Sequence, residues 1–156
     1  MAIQVSVTNN SFPFVMAGQG YSLDTETILT DGTRTTPLLQ FTIMSRIAAT
    51  GKWTPWISSN LGAADGTQYP MGILMNDGGF TAAVYAGGDI LNAMILVGGD
   101  CEVDASQLVF DNAHATACTL TSIITSPANL AMTAREFLCM RHIFPATTVA
   151  IDQAEN

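Results

Sequence analysis

The sequence carries little charge of either sign, and very little positive charge. Charged residues make up 12% of the chain, and only five Lys and Arg stand against 13 Asp and Glu. An average soluble protein has about 25% charged residues. Nucleic-acid binding takes much of its free energy from cations that neutralise phosphates. The net charge of −8 therefore predicts that the chain does not bind nucleic acid. The low content of charged residues indicates either a surface partly covered by other protein or an apolar surface kept soluble by this net charge.

The sequence also lacks a long apolar run and a paired cysteine framework. No stretch approaches the ~20 apolar residues of a membrane-spanning helix, and no basic segment precedes an apolar stretch as in a secretory leader. Cys101, Cys118 and Cys139 are an odd number of cysteines without a repeated spacing. This fits buried free thiols in a reducing cytoplasm. We therefore expect neither a membrane protein nor a secreted one.

The histidines and two of the cysteines form the arrangement closest to a metal site. His114 precedes Cys118 by four positions, and Cys139 precedes His142 by three. Such close pairs occur at tetrahedral zinc sites. However, the order His-Cys-Cys-His is uncommon, and these pairs fall on a predicted strand and a predicted helix. Buried thiols and surface histidines are the favoured interpretation, and whether the four approach one another stays open.

Other candidate sites are weaker still. Asp100, Glu102 and Asp104 alternate in an acidic run, but they lack the regular ligand spacing of a calcium loop. Gly87 and Gly88 do not open a helix after a strand with phosphate-binding spacing. The sequence therefore predicts no catalytic residue, no metal ligand and no cofactor, and we expect that the chain is not an enzyme.

The first part of the chain has the pattern of an extended arm. Residues 3–8 alternate apolar and polar side chains, as a half-buried strand does: Ile3, Gln4, Val5, Ser6, Val7 and Thr8. A polar stretch rich in Gly and Thr follows as far as position 36. An isolated strand is not stable in water and needs a sheet edge to complete. We therefore predict an extended N-terminal arm over residues 1–36 and a compact domain over residues 37–156.

The compact domain has the pattern of a mainly β fold. Short apolar segments separated by turn residues predict strands at 39–43, 71–75, 80–85, 93–97, 102–103, 108–110, 116–125 and 147–151. Thr133 and Glu136 form a capping box, which predicts one short helix beginning there. About a tenth of the chain is then expected to be helical.

An aromatic corner is the most specific local feature. Trp53, Pro55 and Trp56 follow a strand end, and a loop of small residues separates them from the next predicted strand. Proline donates no ladder hydrogen bond, so it marks an edge or the exit of a strand. The corner contains no catalytic side chain. We predict that it lies in the core or at a contact between subunits.

This corner and several later motifs resemble the lambda-type head decoration proteins of tailed bacteriophages, which stabilise capsids. The resemblance covers residues 38–151. It is carried in order by Thr50-Gly51-Lys52, Trp53, Pro55-Trp56, the loop 62–66, Gly72-Ile73-Leu74, Tyr85-Ala86-Gly87-Gly88 with Asn92-Ala93, and a short helix within 134–143. The sequence departs from the family at His142, where a glycine often closes that helix.

The resemblance implies a fold and a function. The fold is a compact β-rich barrel or tulip-like domain with one short helix and an extended N-terminal arm. The function is that of a structural protein on the outside of an icosahedral capsid, present as homotrimers at local three-fold axes. Its arm, residues 3–8, then adds a strand to the major capsid protein, and the trimer stabilises the expanded shell against DNA pressure. The protein is expected to be made in the host bacterial cytoplasm.

One alternative function remains open from sequence. A receptor- or glycan-binding β module of a phage fibre also fits a mainly β chain with no catalytic constellation. That function requires an exposed aromatic platform, and Trp53 and Trp56 are the residues that can supply one.

Overall fold

The protein is mainly β, as the sequence predicts. The computed structural model describes residues 15–18, 21–127 and 131–146, and strands make up 34% and helices 15%. Within these residues the strands are β1 Val15–Gly18, β2 Ser22–Ile28, β3 Ile43–Arg46, β4 Trp53–Pro55, β5 Gly72–Leu74, β6 Ile90–Gly98, β7 Cys101–Asp104, β8 Ile123–Ile124, β9 Met132–Thr133 and β10 Ile143–Ala146. The helices are α1 Ala82–Gly87 and α2 Ala134–Met140, with single 3-10 turns at Ser58–Asn60 and Ala105–Gln107. No helix in the described ranges is long and apolar enough to cross a membrane.

Five strands close into a small barrel in the order β2-β4-β3-β5-β6. Its neighbouring strands run antiparallel except β2 and β4, which meet in parallel at Ile28 and Trp53. Closing a sheet removes the unpaired edges that favour aggregation. The barrel is closed between β2 and β4 by a single residue pair, Ile28 and Trp53. Residues Ser22–Glu26 of β2 pair with β6 but with no second strand of the described chain.

The barrel wall separates two apolar clusters, because successive side chains of a strand point to opposite faces. The barrel cluster contains Ile28, Leu38, Met44, Trp53, Leu74, Tyr85, Ile90, Ala93 and Ile95. The outer cluster contains Ile43, Trp56, Ile73, Met75, Leu96, Cys101, Val103, Leu108, Cys118, Ile124, Ala134, Leu138 and Ile143. Strands β3, β5 and β6 each contribute adjacent residues to the two clusters, so one wall serves both cores.

A three-stranded sheet covers the outer cluster. Its order is β1-β7-β10, with β1 antiparallel and β10 parallel to β7. Cys101 and Val103 of β7 pair with Ile143 and Pro145 of β10, and all four are buried. Helix α2 lies beside β10 and buries Ala134 and Leu138. This sheet and helix complete a core that the barrel alone does not enclose.

Close packing explains the Gly-Ile-Leu motif of β5. A Cβ atom at Gly72 would lie 2.7 Å from the carbonyl oxygen of Leu96 and 2.7 Å from the Cγ2 atom of Ile95. Only a glycine lets β5 approach β6 this closely. The following Ile73 and Leu74 are fully buried, one in each cluster.

The predicted helix is confirmed in detail. The Thr133 hydroxyl accepts from the Glu136 amide at 3.2 Å, and the Glu136 carboxylate accepts from the Thr133 amide at 2.8 Å. These hydrogen bonds lower the pKa of Glu136. The helix is followed by His142 with a φ of 60°. That left-handed conformation favours glycine at this position of a helix C-terminus, so His142 occupies a conformation that most residues other than glycine rarely adopt.

The structure corrects the predicted boundary of the arm. Residues 22–28 form β2, which pairs along β6 as part of the barrel, and Ile28 is fully buried. Its polar sequence conceals a strand because only its last residue reaches the core. The strand predicted at residues 3–8 lies outside the described residues, so the arm remains a prediction there.

Several predicted strands differ from the structure. Residues 80–85 contribute to α1 rather than a strand, because Thr81 caps a helix at the small residues that follow. The prediction of only one helix is therefore wrong, because the described residues contain two, α1 and α2. The segment 39–43 is interrupted by Phe41, whose φ of 66° is incompatible with a strand. Residues 108–110 contribute only an isolated bridge at Val109, and 116–125 only the two residues of β8.

The strands expected in the middle of the chain are confirmed. They are 71–75, 93–97 and 102–103, which appear as β5, β6 and β7. The final strand expected at 147–151 lies outside the described residues, and β10 directly precedes it.

Candidate interaction surface

Both terminal segments join the described fold at the same end of β7. Val15, the first described residue, pairs with Val103, and Val103 pairs on its other side with Pro145. Neighbouring strands lie about 4.8 Å apart, so Val15 and Pro145 are separated by roughly 10 Å. Along the chain, residues 1–14, which include the predicted arm strand Ile3, Gln4, Val5, Ser6, Val7 and Thr8, directly precede β1, and residues 147–156 directly follow β10.

The aromatic corner lies inside the molecule. Trp53 is 2% exposed and Trp56 fully buried, and Pro55 between them is buried as well. The Trp56 Nε1 atom donates to the Gln68 carbonyl at 2.9 Å, while Trp53 Nε1 finds no hydrogen-bond partner among the described residues. Of the two predicted roles, the structure supports a core corner. It does not provide these tryptophans as the exposed platform that a glycan-binding module requires.

The four residues of the suspected metal arrangement are not gathered into one site. His114 bonds to Asp31, and His142 bonds to Asp100. Cys118 belongs to the outer cluster, and Cys139 is partly exposed on α2. Within residues 15–18, 21–127 and 131–146, no three His, Cys, Asp or Glu side chains are grouped as a metal site. In the acidic run that was considered as a calcium site, the Asp104 carboxylate instead accepts hydrogen bonds from Ser106 and Gln107.

The buried thiols are held in their neutral form. Burial raises the pKa of Cys101 and that of Cys118. A thiolate, rather than a thiol, is the nucleophile and the metal ligand. Both cysteines therefore act as small apolar side chains of the outer cluster, as expected from the sequence.

A buried ion pair at the side of the barrel cluster was not visible in the sequence. The Arg34 guanidinium donates to both Asp111 oxygens, at 2.8 and 2.5 Å, and to the backbone carbonyls of Thr36 and Pro37. It also lies 5.2 Å from the centre of the Tyr85 ring. Burial raises the pKa of Tyr85 to about 12 despite the nearby cation. The partners are 77 positions apart, so no local pattern could have revealed them.

A small cleft opens beside this ion pair. Its volume is about 250 Å³, and it is lined by Thr30, Asp31, Gly32, Arg34, Thr54, Pro55, Ile57, Tyr85, Asp111 and His114. Sites for drug-sized ligands usually measure about 300–1,000 Å³ and are mostly apolar. Burial by itself raises the pKa of Asp31, but the hydrogen bonds from Thr33 and His114 together outweigh it, and the pKa is lowered. The charged groups of the cleft already pair with one another, Arg34 with Asp111 and His114 with Asp31. These pairs account for the charged lining without a bound ligand.

The other cations of the described chain are also engaged internally. Lys52 pairs with Asp89 at 2.5 Å. Arg46, Arg135 and Arg141 donate to the carbonyls of Gly51, Pro145 and Val97. The acidic residues exceed these cations, so the protein presents a predominantly negative surface. Such a surface attracts basic partners and repels nucleic acid.

Exposed apolar side chains mark the β2-β6 pair. Leu91 is 67% exposed, Met94 40% and Leu23 39%. Met94 lies directly opposite Thr25 of β2, whose first residues have no second strand partner in the described chain. A strand pair with exposed apolar side chains and an open edge is suited to contact another protein. Sequence reasoning missed it, because β2 was placed in the arm.

Comparison with known proteins adds one finding. A family model described as bacteriophage lambda head decoration protein D matches residues 3–125. No curated protein and no solved structure matches the chain. The matched region includes residues 3–8 and the whole barrel, and it ends before α2 and β10. It thus begins earlier and ends earlier than the resemblance found at residues 38–151.

Proposed function

This chain belongs to the bacteriophage lambda head decoration protein D family, and we propose that it coats the outside of an icosahedral tailed-phage capsid as homotrimers at local three-fold axes. The family supports a capsid decoration role and association with the virion capsid. It is a structural family, not one known for enzymes. In our proposal each trimer holds neighbouring capsomers together and stabilises the expanded shell against the pressure of packaged DNA.

The family match over residues 3–125 is the observation that carries this proposal. It includes residues 3–8, whose alternating pattern is that of a strand. Adding a strand to a sheet edge of the major capsid protein forms main-chain hydrogen bonds worth about 0.5–1.5 kcal/mol each. Three arms on one trimer bind together, which increases retention by a factor that reaches about 10²–10⁴.

The homotrimer requires a contact surface other than the aromatic corner. Trp53, Pro55 and Trp56 are buried within one chain. The exposed side chains Leu23, Leu91 and Met94 on the β2-β6 pair are better candidates.

Replacing Leu91 by Lys is expected to shift the mass in solution from three chains toward one, because a charge at the contact opposes association. A matched replacement, Val84→Lys on α1, is expected to leave the mass unchanged.

The proposal includes no enzymatic activity, no cofactor and no contact with the packaged DNA. The engagement of the described cations in internal bonds supports the last point. Synthesis in the host bacterial cytoplasm fits free buried thiols.

Altering one face of the predicted arm strand tests the proposed function. Replacing Ile3, Val5 and Val7 by Ser removes the apolar face, and replacing Gln4, Ser6 and Thr8 by Ala provides a matched control. We expect both proteins to remain trimers, while only the first loses at least 100-fold in affinity for expanded, undecorated capsids. The measurement is co-sedimentation with capsids after the mass in solution has been determined. Undiminished binding by the first variant would overturn the arm mechanism.

A further inference from the structure

The sheet β1-β7-β10 has one face toward the outer cluster and one toward solvent. Cys101, Val103, Ile143 and Pro145 point inward and are buried. The alternate positions form what we call the outer sheet face: Glu102, Asp104, Phe144 and Ala146. Phe144 pairs directly with Glu102 across the parallel ladder. An aromatic and an acidic side chain therefore lie next to each other on this face, with Phe144 exposed and Glu102 partly exposed.

Phe144 is held in an exposed position at this face. It is 41% exposed, and its ring meets the His142 ring edge-on at 6.5 Å between centres. His142 is fixed in turn by its bond to Asp100, at the turn between β6 and β7. A large apolar side chain that is both exposed and oriented by its neighbours is typical of a binding surface.

The outer sheet face also has unbalanced charge. Asp100, Glu102 and Asp104 lie within five positions, and Glu102 forms no ion pair with any described residue. The nearby cations Arg135 and Arg141 donate to the backbone carbonyls of Pro145 and Val97. A surface complementary to this face therefore combines an apolar contact for Phe144 with Lys or Arg near Glu102.

The position of the face identifies which protein supplies that surface. Residues 1–14 attach to the fold at Val15, on the same sheet and about two strand spacings from β10. Seven residue steps separate Thr8 from Val15, so a capsid subunit that binds residues 3–8 lies at most about 25 Å from Val15, within reach of the outer sheet face. The face lies partly beyond the matched family region, which ends at residue 125, so Phe144 of β10 and the preceding His142 are additional to what the family model describes.

We propose that the outer sheet face is a second docking surface for the shell subunit that binds the arm, and that this subunit presents an apolar patch flanked by Lys or Arg. This inference rests on the proposed function. The arm holds the domain near the shell subunit, and contact through the outer sheet face fixes the orientation of the domain on the shell. Binding through two linked sites is tighter than through either alone.

Two substitutions test this surface. Phe144→Ser removes the apolar contact, and Glu102→Lys reverses the charge beside it. We expect each to weaken binding to expanded, undecorated capsids at least 10-fold in co-sedimentation while the arm is intact. We also expect added salt to weaken wild-type binding more than binding of Glu102→Lys, because an attraction between charges is screened. Matched controls are Val84→Ser, at a position 53% exposed on α1, and Asp77→Lys, in an exposed turn.

The outcomes separate this inference from the proposed function. All variants are first compared with the wild type in melting temperature and in mass, and Glu102→Lys alone decides the matter if Phe144→Ser does not fold. Wild-type affinity of both face variants, with loss of binding by the arm variant, overturns the second surface and leaves the proposed function intact. Equal losses in the face variants and in the controls also overturn it. Full binding by the arm variant and by the face variants contradicts the proposed function itself.

Discussion

The barrel cluster and the outer cluster share a wall but differ in how they are enclosed. The barrel cluster takes its residues from positions 28 to 95, and five strands surround it. The outer cluster takes its residues from positions 43 to 143 and depends on β7, β10 and α2 to cover it. One core is thus nearly complete within a continuous stretch, while the other is assembled from distant segments.

This difference has a functional meaning. The outer cluster supports the sheet to which residues 1–14 attach and on which the outer sheet face lies. The barrel cluster supports the β2-β6 pair with its exposed apolar side chains. In our proposals one core presents the surfaces that meet the shell, and the other presents the surface that meets a neighbouring protomer.

The largest effect is expected from breaking the ion pair beside the barrel cluster. Arg34 and Asp111 side chains are only 2% and 7% exposed, so Asp111→Asn leaves a buried cation without its partner. We expect a loss of about 3–5 kcal/mol in the free energy of unfolding, measured by urea denaturation. The control Asp89→Asn removes the exposed Lys52 pair, whose attraction is screened by solvent, and should cost much less. Equal losses would show that burial does not distinguish the two pairs.

A second effect is a loss of stability at high pH that arises in the barrel cluster. The pKa of Tyr85 is raised by burial from 10.0 to about 12. Below pH 10 this phenol is protonated in both states, and its stabilising contribution is complete. Between about pH 10 and 12 only the unfolded state ionises, so about 2–3 kcal/mol is lost at 1.36 kcal/mol per unit.

Comparison with Tyr85→Phe isolates this effect. The buried thiols of the outer cluster also have raised pKa values and also destabilise the fold at high pH. They are present in both proteins, so the difference in urea midpoints between pH 9 and 12 reports Tyr85. A difference that does not change with pH in this range would contradict the assignment.

The two tryptophans compare the clusters directly. Trp56 lies in the outer cluster and donates to the Gln68 carbonyl, whereas Trp53 lies in the barrel cluster with its Nε1 unpaired among the described residues. Trp56→Phe leaves a buried carbonyl without a donor, which costs about 1–3 kcal/mol beyond the lost volume. Trp53→Phe loses volume only. We expect Trp56→Phe to be less stable in urea than Trp53→Phe. The reverse order would mean that the lost side-chain volume, rather than the lost hydrogen bond, determines the loss of stability.

The smallest effect compares the caps of the two helices. Thr133→Ala removes the hydroxyl that accepts from the Glu136 amide and donates to the Glu136 carboxylate at the start of α2, and we expect a loss of about 1 kcal/mol in urea. Thr81→Ala removes one bond of 3.3 Å on α1, where no reciprocal bond exists. Its loss should be smaller. Hydrogen exchange should show the first variant opening amides of α2 and β10 before those of the barrel.

The predictable parts of the fold depended on local patterns. The capping box at Thr133 and Glu136 fixed the start of α2, and the apolar run at Gly72–Leu74 identified a strand buried on both faces. These features succeeded because a helix cap and a short apolar strand depend on neighbours in sequence. The family resemblance was also confirmed, since it was based on the order of several such local motifs.

The remaining features depended on contacts between distant residues. Strand β2 is polar because most of its length is exposed, so alternation did not reveal it. The outer sheet face requires Glu102 and Phe144 to meet, and Arg34 requires Asp111. Pairings over 40 or more positions follow from chain topology, which local periodicity does not encode. The trimer contact was sought at the tryptophans because large aromatics are common in both cores and interfaces.

The shared wall constrains how this protein can change in length. In β3, β5 and β6, neighbouring residues such as Ile73 and Leu74 belong to different clusters. Deleting a single residue within one of these strands would send every following side chain to the opposite compartment. Substitutions of similar volume are tolerable in these strands, but insertions and deletions belong in the turns. Descendants of this protein should therefore vary in loop length while keeping the number of residues in these three strands.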